Sequence, residues 1–455
     1  MQTFLKQHKL ELGIFALALV ARLVFFFVCL YANGGDVIAT VRGQDGYFGL
    51  SQNLLLGNGF SINPTAPFLP YSYGVPGYPY VLYGLLSLTG SYAATAIVQL
   101  VLGALIPVIG MQFARVLVPS LSRAPLVIGA LLALAPYQVL FSFIFYTETM
   151  FTFTFGIFFL AFFRYLRTPS MRLAMLSGFL LGLVTLIKPT VQYVPVVVGA
   201  FMVWRFRKTL DRKLFIQLGS FVVVFVFVLI PWLYRNYTTF GVANLSSQMP
   251  FNLYGTLLPS VLAIANHTSF AVEQAKLPVF LDSDLSSLSS LSGKAIAEIS
   301  RHPVALIELS ALNALTFFTH DGMLTFLQAA GINPISYLQK PALLLLITAP
   351  WQFAQTIWEY MHTNMAFVFF ARLFWITVTI LFWLGLYRLL RAKLFSPELL
   401  FSVIVVFYFM LTTMVNGLSV NARFRMPVEP IIFAVAYAGL VLTRERTSKN
   451  LPHEH

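Results

Sequence analysis

The chain lacks much of what a soluble protein is built from. Of its 455 residues only 10% are charged, against about a quarter in ordinary soluble domains. There is one cysteine, Cys29, inside an apolar run. A single thiol excludes a disulfide framework, an iron–sulfur cluster and a CxxC zinc site within one chain. Of the seven histidines, His302, His320 and His362 are scattered. They show no HxxxH or HExxH spacing, so no built-in zinc site is read. His320-Asp321-Gly322 reads as a turn. Fixed-period repeats and low-complexity tracts are missing too, although 282–292 (DSDLSSLSSLS) is rich in Ser and Leu and reads as a solvated loop or an amphipathic surface turn.

What is abundant is apolar and aromatic. Hydrophobic residues make up 58% of the chain, with 45 Phe and 20 Tyr, and the mean hydropathy is +0.80. The composition is that of an all-α polytopic membrane protein, which excludes soluble enzymes and DNA-binding factors. The net charge of +13 would point to nucleic acid in a soluble chain; here it reads as basic loops that fix orientation, with no nucleic-acid partner. The first apolar run is too long for a signal-peptide core and reads as a retained helix.

A membrane span needs about 20 mostly apolar residues. Runs at 11–31, 93–117, 124–141, 148–166, 172–188, 191–205, 214–234, 366–387, 398–415 and 428–443 predict about ten spans, or up to twelve with an added hairpin. Eighteen of the 29 Lys+Arg then fall in alternate short segments, among them the cluster Arg205, Arg207, Lys208, Arg212 and Lys213. The positive-inside rule places those segments, and both termini, in the cytoplasm. Most acids lie on the other face. Residues 77–89 are short for a span and read as an interfacial or re-entrant helix. The stretch 303–357 reads as surface helices or one extra hairpin. The whole chain, 1–455, is then one integral membrane domain, with outer loops at 32–76 and 236–365.

Ionisable groups near hydrocarbon are costly and usually have a role or a partner. On this topology Asp45, Glu148, Lys188, Arg235, Arg423 and Arg425 all fall at the outer ends of spans. Such a set suits a phosphate-bearing lipid and a general base, or else ion pairing among helix ends. Asp45 sits in GQDGYFGLSQNLLLGNGF, where flanking glycines allow a tight turn and Tyr47 opens a short helix that Asp45 would be placed to cap. Arg235 in PWLYRNYTTFG, Lys188 in LIKPT and Arg423/Arg425 in NARFRMPVEP would each bind a phosphate or snorkel to the interface.

Seven segments occur in one order: GQDGYFGLSQNLLLGNGF (43–60), SYGVPGYPYVLYGLL (72–86), YTETMF (146–151), GFLLGLVTLIKPT (178–190), PWLYRNYTTFG (231–241), FNLYGT (251–256) and ARFRMPVEP (422–430). In this order the chain resembles the GT-C superfamily of membrane glycosyltransferases. The likeness is to the bacterial branch related to dolichyl-phosphate-mannose protein mannosyltransferases and lipid A aminoarabinose transferases. The resemblance implies a GT-C-like helical bundle in the plasma or inner membrane, with catalysis on the extracytoplasmic side and a polyprenyl-phosphate-linked sugar as donor. The acceptor would be a glycan, a lipid or a protein. Asp45 maps to the family's catalytic base. Arg235 and either Arg423 or Arg425 map to basic positions of the family, so that these arginines would hold the donor phosphate together with Lys188, which stands where an arginine is usual. Glu148 and Tyr47 would orient the acceptor or a cation. No cofactor is implied, and the sequence does not indicate a divalent cation, although some family members use one. A transporter or flippase of lipid-linked sugars, and a non-catalytic member of an envelope-glycan assembly, are the competing classes.

Overall fold

The computed structural model describes residues 8–208, 211–277, 285–333 and 349–449. Among them every regular element is a helix. Seven helices are long and apolar enough to cross a bilayer: Lys9–Ala32, Tyr92–Leu117, Glu148–Arg167, Arg212–Phe240, Met365–Arg391, Pro397–Ser419 and Ala422–Leu442. The other three predicted spans are helical but shorter, as Ala124–Leu134, Met171–Ile187 and Val194–Arg205. Proline sets two of these stops, because the residue before a proline is pushed out of the α region. Ala135, before Pro136, has ψ of 121°, and Lys188, before Pro189, is extended at φ −151°, ψ 117°.

Residues 77–89 form the single helix Gly77–Thr89, roughly 20 Å long at 1.5 Å per residue and so too short to span. In 303–357 the described parts are Pro303–Thr319, Met323–Ala329 and Pro350–Met361, while 334–348 lies outside the described residues. The last of these helices exposes Trp351 and Trp358 just before the span that starts at Met365, as an interfacial helix would. From Leu285 onward the Ser/Leu-rich stretch belongs to a helix, Leu285–Ile299, not to a loop or turn, while 282–284 lie outside the described residues.

The phenylalanines fill the bundle as well as coat it. Phe151, Phe155, Phe158, Phe159 and Phe162 are at most 1% exposed. The rings of Phe151 and Phe155 meet Phe409, and those of Phe159 and Phe162 meet Phe401, at centroid distances of 4.6–6.1 Å. Lipid tails are as apolar as these side chains, so helices associate through close packing rather than through a hydrophobic drive. Glycine supplies the close approach between Met365–Arg391 and the final helix, Glu429–Lys449. A Cβ on Gly385 would meet the Val435 carbonyl, and one on Gly439 would meet the Leu381 carbonyl. The Arg388 guanidinium donates to the Gly439 carbonyl at the same crossing. Gly385→Leu should therefore force these helices apart, at a cost of about 1–3 kcal/mol or more. The expected result is a lowered thermal midpoint and a smaller monodisperse fraction in detergent; an unchanged midpoint would mean the crossing is not tight.

One cation lies deep in the bundle. Arg22, in the first span, is fully buried and donates to the carbonyls of Ala18 and Ala133, both at 3.1 Å. The Ala133 acceptor is one that the helix break before Pro136 leaves without its usual intrahelical donor. The contact ties the first span to the segment that leads into Glu148.

The two ends of the bundle differ. Arg115 pairs with Glu11 at 2.5 Å and Arg167 with Glu398 at 2.7 Å at one end. The other end holds Asp45, Glu148, Lys188 and Arg423.

Candidate active site

The loop that carries Asp45 is fixed by its backbone. Asp36 caps the short helix Val37–Val41 by accepting from Ala39 N at 3.1 Å. The chain then pairs with the segment before Glu148: Phe145 N donates to the Val41 carbonyl at 2.7 Å, and Gln44 N donates to the Tyr146 hydroxyl at 2.8 Å. Gly43 and Gly46 both take positive φ, 64° and 79°. At Gly43 the Tyr146 ring lies 3.0 Å from where a Cβ would stand, so a side chain there would be strained in backbone and in space. Gly46, not Asp45, is the cap residue of the Tyr47–Leu55 helix, and no side chain caps it. The capping role open to Asp45 from its position is not the one it takes.

Its carboxylate turns instead to the far end of the chain. Asp45 Oδ2 accepts from Arg423 Nη1 at 2.8 Å. Arg423 Nε stands 3.3 Å from Glu148 Oε1, and the same oxygen accepts from Lys188 Nζ at 2.8 Å. Four charges thus alternate in one line: Asp45, Arg423, Glu148, Lys188. Each is set by a helix end. Glu148 is the first residue of Glu148–Arg167, where the helix dipole favours an acid. Lys188 follows the proline-stopped Met171–Ile187 helix. Arg423 sits in the 3₁₀ turn Ala422–Val428, whose start is held by Asn421 accepting from Arg423 N at 3.0 Å.

The four side chains line one cavity of about 460 Å³. Its walls come from the loop region after the first span (Tyr47, Tyr71, Tyr73), the turn after Lys188 (Gln192, Tyr193), the segment 246–252 and the end of the sixth long helix (Thr412, Asn416). Asp45 keeps 36% of its side chain accessible, but this access is to the cavity. Burial raises its pKa above the ordinary carboxylate value and the nearby Glu148 adds to this, while Arg423 opposes them. A carboxylate of raised pKa is a better proton acceptor near neutral pH. Burial and the two nearby carboxylates hold the Tyr47 phenol well above its usual value, so it remains a hydrogen-bond donor. The Tyr47 ring stands edge-on to Tyr78 at 5.3 Å.

The cations keep donors in reserve. The buried Arg423 Nε has its ion-pair neighbour but no hydrogen bond, and Lys188 carries three N–H donors, one of them directed to Glu148. Among the described residues Asp45 and Glu148 are the carboxylates that face the cavity. A divalent cation bound there would have to compete for them with Arg423 and Lys188.

Two of the predicted basic residues stand elsewhere. Arg235 does not line the cavity. Its guanidinium donates to the Tyr71 carbonyl at 3.2 Å and to Asn236 Oδ1 at 2.8 Å, and it lies over the rings of Phe60, Trp232 and Phe240 at 4.8–5.5 Å. That position clamps the loop region after the first span to the Arg212–Phe240 helix. Arg425 is fully buried behind the site. It donates to the carbonyls of Phe317 (2.6 Å) and His320 (2.8 Å) and pairs with Glu429 at 3.5 Å. It thereby holds the turn that presents Arg423. Asn252, Asn416, Gln192 and Gln248 line the cavity without having been singled out in the sequence. Only the order of motifs around FNLYGT hinted at the first of them.

No family model and no curated protein matches the chain. Among solved structures, an oligosaccharyltransferase of Archaeoglobus fulgidus, crystallised with Zn and sulfate, matches over 94% of this chain and 50% of its own, at 14% identity and a TM-score of 0.45. ArnT from Cupriavidus metallidurans, in the apo state, matches over 95% of this chain and 80% of its own, at 14% identity and a TM-score of 0.36. The chain therefore spans about half the length of the archaeal protein.

Proposed function

We propose that the chain is a GT-C-type glycosyltransferase that moves a sugar, with inversion, from a polyprenyl-phosphate donor to an acceptor hydroxyl. The observation that carries this reading is the line Asp45–Arg423–Glu148–Lys188 along one cavity at the helix ends. Asp45 takes the proton of the acceptor hydroxyl as its oxygen attacks the anomeric carbon. The bond from that carbon to the phosphate oxygen breaks, and polyprenyl phosphate leaves with the electron pair. Arg423 and Lys188 stand where fixed cationic donors would stabilise the charge that develops on the leaving oxygen. Glu148 holds both cations at one depth. For Asp45 to accept a proton its contact with Arg423 must loosen, and a phosphate drawn to Arg423 supplies the competing anion.

The anomeric configuration of the product tests this directly. Direct displacement gives inversion; retention would instead require a covalent glycosyl intermediate on the enzyme and would remove Asp45 from the role of base. The pH profile gives a second prediction. Protonating Asp45 abolishes the base, and its pKa is raised, so transfer should fall on acidification at a pH above the usual aspartate range of about 3.9. An acid limb at or below the ordinary aspartate value would place another group in the role.

The basic segments orient this site to the extracytoplasmic face. In a Cys29→Ser background, a cysteine at Ser300 should react with an impermeant maleimide added outside the cell, and one at Lys208 should not. The opposite pattern would move the cavity to the cytoplasm.

A further inference from the structure

We infer that the uncharged, amide-bearing part of this cavity's lining is a subsite for a neutral, polyhydroxylated sugar ring on the donor, and that it discriminates against sugars carrying a charge. The inference rests on the donor assignment above and adds the class of sugar.

Four of the cavity-lining side chains are charged, Asp45, Glu148, Lys188 and Arg423, and all four are bound up with one another. Among the described residues the rest of the lining is uncharged. Amides and rings dominate one part of it: Gln192, Gln248, Asn252 and Asn416, with the Tyr73 and Phe251 rings edge to face at 5.3 Å. A primary amide both donates and accepts, and so does a hydroxyl. An ammonium only donates, and it would enter a wall whose described residues include no carboxylate to compensate its desolvation. A carboxylate only accepts and would meet the same deficit. Apolar pocket faces with a few placed polar groups are the usual way a site fixes a ligand's orientation.

The wall is also built to keep its shape. Asn252 Nδ2 donates to Asn416 Oδ1 at 3.2 Å, joining two segments that lie 164 residues apart. Thr256 Oγ1 bonds the carbonyls of Asn252 (2.5 Å) and Val415 (3.0 Å). Leu418 N donates to Ser260 Oγ at 3.1 Å. The turn Leu253–Leu257 is π-helical, a local widening often found beside functional sites. Gly417 takes φ of +54° where a Cβ would strike Ser260 Oγ, so the chain doubles back against this helix without a side chain. Groups held this way meet a ligand with little reordering.

The test is equilibrium binding to purified full-length protein in nanodiscs. Three probes are compared: polyprenyl phosphate alone, a polyprenyl-phosphate hexose and a polyprenyl-phosphate amino sugar with a protonated amine. The hexose-bearing lipid is expected to bind at least about tenfold tighter than either of the others, as a site matched to hydroxyls rejects ligands that leave its polar groups unpaired. Gln248→Leu and, separately, Asn252→Leu with Asn416→Leu should erase that difference and leave the affinity for bare polyprenyl phosphate unchanged. Gln248 has no part in the Asn252–Asn416 cross-link, so its variant remains informative if the double variant does not fold. Equal binding of the three lipids, tighter binding of the amino sugar, or full discrimination in a folded Gln248→Leu protein would overturn the inference and leave the donor assignment standing. If bare polyprenyl phosphate and both glycosylated forms fail to bind, the donor assignment fails and this inference with it.

Discussion

Asp45→Asn is expected to bind a polyprenyl-phosphate sugar and to transfer almost none of it. The amide keeps the size and much of the hydrogen-bonding capacity of the carboxylate, and Arg423 Nη1, now 2.8 Å from Oδ2, can still donate to its oxygen. What is lost is the proton acceptor. General-base assistance is worth about 10²–10⁴-fold in rate, so turnover should drop by that order with donor affinity within a few-fold of wild type. Asp36 is the matched control. It lies in the same loop, but its carboxylate caps the backbone amide of Ala39, and Asp36→Asn should keep near-normal turnover. If Asp45→Asn stayed active while Asp36→Asn did not, the base would have to be sought elsewhere in the loop.

The second large effect belongs to Arg423. Arg423→Ala removes the cation between Asp45 and Glu148 and leaves two carboxylates facing a site that must receive a phosphate. Losing a charge-assisted contact to a buried anion costs about 2–5 kcal/mol, so donor affinity should fall by roughly 30-fold to a few thousand-fold on that basis. Arg423→Lys should restore part of it, since an ammonium keeps the charge but not the planar fork. Arg235→Ala separates site from scaffold. Its guanidinium holds the Tyr71 carbonyl and three ring faces, so the substitution should lower the thermal midpoint and change the donor Kd of the folded fraction only a few-fold. If Arg235→Ala abolished donor binding in a folded protein while Arg423→Ala did not, the phosphate would lie against the loop region after the first span instead.

Helix positions were legible because hydrocarbon imposes a length. The run read at 11–31 is the helix Lys9–Ala32, and the run at 366–387 is Met365–Arg391. The run at 124–141 is broken because Pro136 interrupts it, a stop that composition alone does not weigh. Among the polar residues, sequence could gather Asp45, Glu148, Lys188 and Arg423 at one end of the bundle, because parity along the chain assigns helix ends to faces. It could not tell them from Arg235 and Arg425. An arginine at a helix end carries the same local signal whether it faces a cavity, a ring stack or a row of carbonyls. Asp45 and Arg423 are 378 residues apart, and their contact depends on how the last helices close against the first loop. The amides at 192, 248, 252 and 416 were illegible for a plainer reason: neutral side chains near a membrane surface are unremarkable until a cavity is seen beside them.

The most direct measurement of the central claim is the release of free polyprenyl phosphate. Purified protein in proteoliposomes would be given a polyprenyl-phosphate hexose labelled in its sugar, with and without a cell-envelope acceptor fraction, and both products followed by mass spectrometry. Polyprenyl phosphate should appear in one-to-one ratio with glycosylated acceptor, only when acceptor is present, and not with Asp45→Asn. Movement of the intact glycolipid across the bilayer, with no cleavage of the sugar–phosphate bond and no effect of Asp45→Asn, would contradict that claim.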